Sequence, residues 1–552
     1  MPPTKDAVRA ANDSSRPESI TPEAISPLSK EIVVGVVAYA GAGSSTAATR
    51  LEIILHAAGY EVHLIKLSER IESHFKDRTI PQVEKGPDLG RTKLARAIVL
   101  QNLGDELREV SGDYALASLA VARIRALRGT RKAGDAKIAY IIDTLKHREE
   151  VEMLRRVYDQ SFRLIAVHCD RPTRLKRLMG KATELVKYAG ASDADILQFI
   201  DRDEKDGTNK HGQQVRDAFY LADYFVDNSE NSTTGEHLTG DITRFSQLLL
   251  GTQLVRPTLE ERAMYHAHAA ALQSSCLSRQ VGAALVSARG EIVSTGANDV
   301  PKYGGGIYQE GSDPDHRCHA WTWTDGEIEF VGCHNDRRKQ SLRQEIAAWF
   351  ASTFSESLAE VAHPDSGVQA FAVDATRREA AIRIKAHLAA SEDAYATLPG
   401  IKELIEYSRA IHAEMDALLS AAREGISTVG GTLYCTTYPC HSCARHLVTA
   451  GIAKVLFIEP YVKSLATELH YDSISNLPLP ANSPPGSQQA MMVVPFTGVG
   501  PRMYEDFFAV RGKLKGLGGA YKRPSDNVPS YAVRLLQLGT VEESAAELVK
   551  DV

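Results

Sequence analysis

The N-terminal half of the chain alternates continuous apolar runs with helical patterns. The first run, residues 31–40 (EIVVGVVAYA), indicates a strand that is buried on both faces. A glycine-rich turn and a helical pattern follow it, and further apolar runs begin at residues 60, 137, 162 and 224. Because strands and helices alternate, this half predicts one α/β domain with a mainly parallel sheet.

A different pattern begins after a break at residues 251–257. A helical pattern over residues 258–274 leads into two short apolar runs, 283–286 and 292–295, which predict a hairpin. A long, polar and mixed stretch follows, and helices and strands alternate again from residue 411 to about residue 515. These residues therefore predict a second domain that also mixes helices and strands.

We divide the chain into four segments on this basis. Residues 1–28 are polar and rich in Pro and Ser, which predicts a disordered tail. Residues 29–250 and 258–515 are the two predicted domains, the second with an insert at about 301–403, and residues 516–552 are predicted to be helical and peripheral. The longest apolar run is too short to span a bilayer, so we expect no contact with membranes.

Composition narrows the class of protein. The chain has 552 residues, of which 43% are hydrophobic and 24% charged, as in soluble globular proteins. Its net charge of -6 does not favour a nucleic-acid substrate, which calls for a basic surface. We recognise no signal peptide, so we expect a reducing, cytoplasmic location. The seven cysteines then indicate metal binding more than disulfides.

The most informative pattern is H-x-E at residues 412–414 followed by P-C-x-x-C at residues 439–443. One imidazole and two thiolates suit Zn²⁺ and leave its fourth position open to water. We expect His412, Cys440 and Cys443 to hold the zinc. The pattern resembles that of the zinc nucleoside and nucleotide deaminases, which implies that Glu414 moves the protons of a hydrolytic deamination at C4 of cytosine. A purely structural zinc site is the alternative, although such a site needs no base at this position.

The C-terminal region, residues 258–515, resembles the cytidine/deoxycytidylate deaminase family. The zinc motif carries the resemblance, together with residues 275–283 (SCLSRQVGA) and 296–301 (GANDVP). It implies a three-layer α/β/α fold and assembly as a homo-oligomer. It also implies that Asn298 contacts the sugar of a nucleotide, and it places Ser278 and Arg279 where they meet its phosphates. A solvated surface charge is the alternative for Arg279. Residues 461–470 (YVKSLATELH) resemble the nucleotide-specific branch of the family and offer Lys463 or Ser464 as a further phosphate contact.

A degenerate phosphate-binding loop follows the first predicted strand. The pattern G-x-x-x-x-G-K-[ST] aligns with residues 38–45, where Ala38 replaces the first glycine and Ser44 the lysine. Backbone N–H groups at such a helix start still bind anions. We predict a site for ATP or GTP with Mg²⁺, used for sensing more than for phosphoryl transfer. A structural or assembly role is the alternative. The residues of this site are Gly41, Gly43, Ser44, Ser45, Thr46 and Asp143.

The order of the two domains narrows the resemblance. A P-loop kinase-like domain followed by a deoxycytidylate-type deaminase is similar to the bacterial anti-phage dCTP deaminases. This similarity implies free dCTP and dCMP as substrates, and depletion of the cytosine precursor that an infecting phage needs. An RNA or protein inhibitor would be a further partner. A housekeeping dCMP deaminase, a polynucleotide cytosine editor and a nucleotide-gated switch are the alternatives.

The insert contains a second group of metal-ligand residue types. These residues are Cys318, His319, Cys333 and His334, and they predict a second zinc site. The alternative is that part of this segment lines the substrate pocket or an oligomer contact.

Overall fold

The computed structural model of the chain has two compact units. It describes residues 29–80, 89–131, 136–179, 191–229, 236–326, 328–360, 379, 382–383, 386, 407–461, 464–476, 490–510, 514–521 and 538–549. Unit 1 contains the described residues up to 261 and those from 496 onwards, and unit 2 contains those between 262 and 495. The predicted boundary at residue 515 therefore differs from the structure, because residues 496–515 belong with the N-terminal residues.

Strands and helices alternate along the first part of unit 1. They are β1 (Ile32–Ala38), α1 (Ser44–Ala57), β2 (Glu61–Lys66), α2 (Leu67–His74), α3 (Leu89–Ser111), α4 (Ala115–Arg128), β3 (Ile138–Leu145), α5 (Arg148–Tyr158), β4 (Phe162–His168), α6 (Arg171–Met179), α7 (Asp193–Glu204), α8 (Val215–Phe219), β5 (Tyr224–Asp227) and α9 (Glu236–Leu250). The predicted apolar runs thus correspond to the five strands β1–β5.

The remaining elements follow in chain order. They are α10 (Leu259–Ala271), β6 (Gly282–Val286), β7 (Ile292–Ala297), β8 (Trp323–Asp325), β9 (Ile328–Phe330), α11 (His334–Glu360), α12 (Ala413–Arg423), β10 (Thr432–Thr437), α13 (His441–Thr449), β11 (Lys454–Glu459), α14 (Ala466–Leu469), β12 (Ile474–Ser475), β13 (Met491–Pro495), β14 (Gly498–Val499), α15 (Tyr504–Phe508) and α16 (Leu538–Glu547). No helix of the described residues is long and apolar enough to cross a membrane.

The sheet of unit 1 has the strand order β14-β5-β4-β1-β3-β2. Strands β1–β5 are all parallel to one another, whereas the edge strand β14 runs antiparallel to β5. Every residue of the central strand β1 is buried, as expected for a parallel strand covered on both faces. The predicted parallel sheet is thereby confirmed. Its carboxyl edge carries the loop after β1 and, at the end of β3, Asp143.

The C-terminal helix α16 is part of the interior of unit 1. Its Glu542 is completely buried and accepts a hydrogen bond of 2.9 Å from Nη2 of Arg128 on α4. The Nε of the same arginine donates to Glu31 at 2.6 Å. We predicted a peripheral segment here, and this was wrong for α16, because its buried carboxylate pairs with a buried guanidinium more than four hundred residues earlier.

Unit 2 is built around a second sheet, with the order β12-β13-β11-β10-β6-β7. Strands β10–β13 are parallel, whereas β6 is antiparallel to both β10 and β7. The predicted hairpin is thus confirmed as β6 and β7. Each unit mixes helices and strands, as the sequence predicted, and most strand pairs of both sheets are parallel.

Two glycines show that helices cover both faces of this sheet. A Cβ on Gly282 would collide with the backbone of Ala267 and Ala271 on α10, and a Cβ on Gly296 with that of Ala413 and Ala417 on α12. Gly296 lies opposite Ala283, the neighbour of Gly282, so the two glycines face opposite sides of the sheet. The hairpin therefore lies between two helices in three layers.

Candidate metal centre and active site

The three predicted zinc ligands lie at the starts of two helices in unit 2. His412 is the N-cap residue of α12, Cys440 is that of α13, and Cys443 lies in the first turn of α13. Their ligand atoms all lie within 4.8 Å of one another, and no other three-ligand group occurs among the described residues. The structure thus brings together side chains that are separated by a helix and a strand in the sequence.

The spacing of these atoms suits zinc. The Nδ1 of His412 lies 3.3 Å from the Sγ of Cys440 and 3.3 Å from that of Cys443. A tetrahedral zinc with ordinary Zn–N and Zn–S bonds separates such atoms by about 3.6 Å. The pKa of Cys440 is lowered to about 4, first by its hydrogen bond with Cys443 and then, against the effect of burial, by His412. The residues therefore fit a zinc ion with only small adjustments.

Glu414 lies beside this group and is not part of it. It occupies the first turn of α12 and is only 4% exposed. Burial raises the pKa of its carboxyl to about 7, against the opposing influence of His412. A carboxyl group with such a pKa exchanges protons readily near neutral pH, as an acid-base catalyst must.

The metal group opens into a cavity of about 300 Å³, which is at the lower end of the range for small-molecule sites. His412, Cys440 and Glu414 form part of its wall. The predicted substrate residues Asn298, Ser278 and Arg279 form another part. The structure thus places the metal group and these three residues around one cavity.

Asn298 and Arg279 are held by defined contacts. The Oδ1 of Asn298 accepts a hydrogen bond of 2.6 Å from the N–H of Val281, and its Nδ2 donates at 2.8 Å to the carbonyl of Arg279. The Arg279 side chain pairs with Glu459 at 2.5 Å and remains 41% exposed. Asn298 therefore fixes the loop that presents Arg279. The predicted Lys463 lies outside the described residues.

Arg409 is a cavity residue that was not identified from the sequence. Arg409 lies three residues before His412, and its Nη1 donates a hydrogen bond of 3.0 Å to the carbonyl of His316. Its guanidinium lies 4.6 Å from the ring centre of Trp321. The position of Arg409 near the zinc motif could have indicated a role in the site. Its contact with Trp321 could not be predicted, because Trp321 lies far away in the sequence.

The structure does not assemble the predicted second zinc site. Cys318, Cys333 and His334 line the same cavity, while His319 is exposed. No three of these residues bring their ligand atoms together within 4.8 Å. The His334 ring instead stacks on Trp321, with 6.4 Å between ring centres. The arrangement corresponds to the alternative interpretation, in which this segment lines the cavity.

The predicted nucleotide residues of unit 1 lie together at the carboxyl edge of its sheet. Gly41 and Gly43 have φ angles of 83° and 92°, which favour glycine, and α1 begins directly afterwards with Ser44, Ser45 and Thr46. The Oγ of Ser45 donates to Asp143 at 2.7 Å. The hydroxyl of Thr144 donates to Ser44 at 3.0 Å.

Comparison with known proteins agrees with the site in unit 2. Residues 257–459 match the family described as "Cytidine and deoxycytidylate deaminase zinc-binding region". This stretch contains all three candidate ligands and Glu414. The C-terminal part of the chain therefore carries a zinc-binding deaminase domain of the cytidine and deoxycytidylate class.

The more particular similarity is to deoxycytidylate deaminases. The deoxycytidylate deaminase of Enterobacteria phage T2 is 46% identical over 54 residues, which are 10% of this chain and 29% of the phage protein. The ComE operon protein 2 of Bacillus subtilis is 43% identical over 54 residues, 10% of this chain and 29% of that protein. The chain thus matches less than a third of the length of these relatives.

The dCMP deaminase of cyanophage S-TIM5, solved with dCMP and dUMP, is 16% identical. The alignment covers 44% of this chain and 99% of that one, with a TM-score of 0.22. A TM-score this low does not establish a shared overall fold.

Proposed function

We propose that this chain is a zinc-dependent hydrolase that converts dCTP, and also dCMP, to dUTP or dUMP and ammonia. The observation that carries the proposal is the cavity of unit 2 into which the metal group opens. Its wall combines zinc ligands, a buried acid-base group in Glu414 and the cation Arg279. A purely structural zinc would need neither a cavity nor Glu414 beside it.

The reaction exchanges the exocyclic amine of cytosine for an oxygen of water. Zinc held by His412, Cys440 and Cys443 supplies Lewis acidity that makes water a nucleophile near neutral pH. Glu414 takes a proton from the attacking water and delivers it to ring N3. It then carries the second proton to the departing amine, which leaves as ammonia. Because Glu414 is nearly excluded from solvent, these protons stay within the site.

The remaining cavity residues select the substrate. Asn298 orients the loop of residues 279–281 and has further hydrogen-bonding capacity for the sugar. Ser278 and Arg279 bind the phosphates, for which the planar guanidinium offers paired donors, and Lys463 assists them. In this proposal the phosphates compete with Glu459 for Arg279.

We also propose the wider role that the domain order implies. The enzyme depletes dCTP in defence against phage, acts in the cytoplasm as a homo-oligomer, and is restrained by an RNA or protein inhibitor. Unit 1 binds ATP or GTP with Mg²⁺ through residues 41–46 and Asp143. The bond between Ser45 and Asp143 supports this site, since a hydroxyl and a carboxylate are paired there as Mg²⁺ binding requires.

Housekeeping dCMP deamination in pyrimidine metabolism is the second candidate. It is favoured by the name deoxycytidylate deaminase, which the matched relatives from the phages T2 and T4 carry. The catalytic residues and the chemistry are the same in both candidates. The difference is the preferred nucleotide, which an assay measures directly.

The deciding experiment incubates the purified, zinc-loaded chain with dCTP, dCMP, CTP or cytidine and follows ammonia and the uracil product. We expect deamination of dCTP and dCMP. Glu414→Gln should reduce kcat by about a thousandfold or more, because proton transfer is lost while zinc is retained. Glu424→Ala, at the exposed C-terminal end of the same helix, is the matched control and should remain active.

The ratio of the dCTP and dCMP rates separates the two candidates. Exclusive use of dCMP would favour the housekeeping role. If none of the four substrates reacts, including after addition of ATP or GTP, the proposal is wrong and a polynucleotide substrate or a switch function replaces it.

A further inference from the structure

The loop of residues 39–43 in unit 1 presents open backbone N–H groups at the start of α1. The N-cap residue, Gly43, has no side chain to cap the helix. Two N–H groups of the loop are satisfied, that of Ala40 by Asp203 at 2.7 Å and that of Ala42 by the carbonyl of Tyr39 at 3.0 Å. Within the described part of the chain, no acceptor occurs for the N–H groups of Gly41, Gly43, Ser44 and Ser45. Such a group at a helix start binds anions.

A buried cation lies against the same loop. Arg174 on α6 is only 5% exposed, and its guanidinium lies 5.0 Å from the ring centre of Tyr39. Its Nη2 donates to Glu204 at 2.6 Å, but its Nε and Nη1 are buried and have no partner. Burying donors of a charged group without acceptors costs several kcal/mol. These two atoms therefore indicate a ligand that accepts their hydrogen bonds.

Helix α6 is fixed in this position. A Cβ on Gly41 would lie 3.1 Å from Leu178 and 3.2 Å from the carbonyl of Arg174, so the helix backbone touches the loop. The Nη2 of Arg177 donates to the carbonyl of Asn228 at 2.8 Å, and its Nη1 contacts the carbonyl of Gly41 at 3.4 Å. Arg174 is thus held beside the open N–H groups.

Lys146, another cation near the loop, is already paired with a carboxylate. The Nζ of Lys146 donates to the carbonyl of Ala38 at 3.0 Å and to Asp203 at 2.8 Å, and Asp203 is 2% exposed. Asp203 in turn accepts from the N–H of Ala40. This pair braces the first residues of the loop, so Lys146 does not supply the loop with an uncompensated charge.

We propose that unit 1 contains a binding site for the phosphate chain of a nucleoside triphosphate in which Arg174 provides the cation. The open N–H groups of the loop and the Nε and Nη1 of Arg174 bind the phosphate oxygens. Ser44 stands where the phosphate-loop pattern has a lysine, and Arg174 on α6 supplies the positive charge instead. This inference deepens the nucleotide site proposed for unit 1 and is independent of deamination in unit 2.

The test is calorimetric titration of the full chain with inorganic triphosphate and, separately, with ATP. We expect both to bind, and Arg174→Ala to weaken binding about tenfold or more, since it removes charge-assisted hydrogen bonds. Arg171→Ala removes from the same helix an exposed arginine, which is paired with Asp201 at 2.5 Å and lies farther, 3.7 Å, from Glu204. This matched control should change the affinity by less than about twofold. Arg174→Lys should be intermediate, because an ammonium lacks the paired donors.

Thermal unfolding without ligand separates binding from folding. Arg174→Ala should melt close to the parent chain, because it removes two unsatisfied buried donors along with one ion pair. Failure of the parent chain to bind triphosphate, or equal binding by the Arg174→Ala and Arg171→Ala variants, would overturn the proposal. Parallel assays of dCMP and dCTP deamination show separately whether the function proposed for unit 2 holds.

Discussion

Both units use the N-terminal ends of helices, but they use them for opposite purposes. In unit 2 the N-cap positions of α12 and α13 carry His412 and Cys440, whose side chains converge as metal ligands. In unit 1 the N-cap of α1 is Gly43, which has no side chain, so the backbone N–H groups stay open. A side chain at the cap thus recruits a cation, and its absence leaves room for an anion.

The largest effect is expected where a cap-region side chain is removed in unit 2. Cys443→Ala should reduce bound zinc from about one ion per chain to nearly none, and activity by at least about a thousandfold, because two ligands do not retain zinc. Cys435→Ala is the control, since this buried thiol lies on the adjacent strand β10 outside the ligand group. Metal analysis and the dCMP assay measure both. Full zinc retention by Cys443→Ala would show that Cys443 is not a metal ligand.

A smaller effect is expected from adding a side chain to the cap of unit 1. A Cβ on Gly43 would collide with Nδ2 of Asn228, and the φ of 92° is unfavourable for alanine. Gly43→Ala should therefore lower the free energy of unfolding by about 1–3 kcal/mol and abolish triphosphate binding. Gly240→Ala, in α9 with nothing near its Cβ, is the control. Chemical denaturation gives the first quantity and calorimetry the second. Unchanged stability and binding would show that the open cap is not required.

The smallest effect is expected for phosphate binding in unit 2. There the side chain of Arg279 is proposed to bind the phosphates, whereas in unit 1 backbone N–H groups are proposed to do so. Arg279→Ala should raise KM for dCMP and dCTP about tenfold, while any turnover of cytidine stays unchanged. Arg289→Ala, in the exposed turn between β6 and β7, should change neither. Steady-state kinetics with the three substrates provide the measurement. An equal loss for cytidine would mean that Arg279 positions the loop and does not bind phosphate.

Local patterns predicted much of this molecule. The bounds predicted for β4 were those of the structure, because five of its seven residues are apolar. The H-x-E and P-C-x-x-C motifs indicated the three residues that converge in unit 2. Contacts between residues that are far apart in the sequence could not be predicted from such local patterns. The cation–π contact of Arg409 depends on Trp321, and the unsatisfied burial of Arg174 depends on the packing of α6 against the loop.

The predicted second zinc site failed for the same reason. Spacing along the chain placed Cys318, His319, Cys333 and His334 in two short clusters, but it did not show which rings pack together. Stacking of His334 on Trp321 is a tertiary contact. The boundary at residue 515 was misplaced because β14 pairs with β5, a strand that lies in the predicted first domain.

The return of the chain to β5 has a consequence for biosynthesis. Val499 of β14 is completely buried opposite Tyr224, and Glu542 of α16 pairs with Arg128. During translation, strands β1–β5 are therefore synthesised first, and the edge of β5 remains uncovered. At that stage Arg128 can pair with Glu31 but not yet with Glu542. In the sequence, unit 2 is inserted between the two parts of unit 1. All residues of unit 2 are therefore synthesised before the last part of unit 1, which begins at residue 496. Released chains truncated between residues 496 and 538 should accordingly contain a folded deaminase domain and an unfinished unit 1.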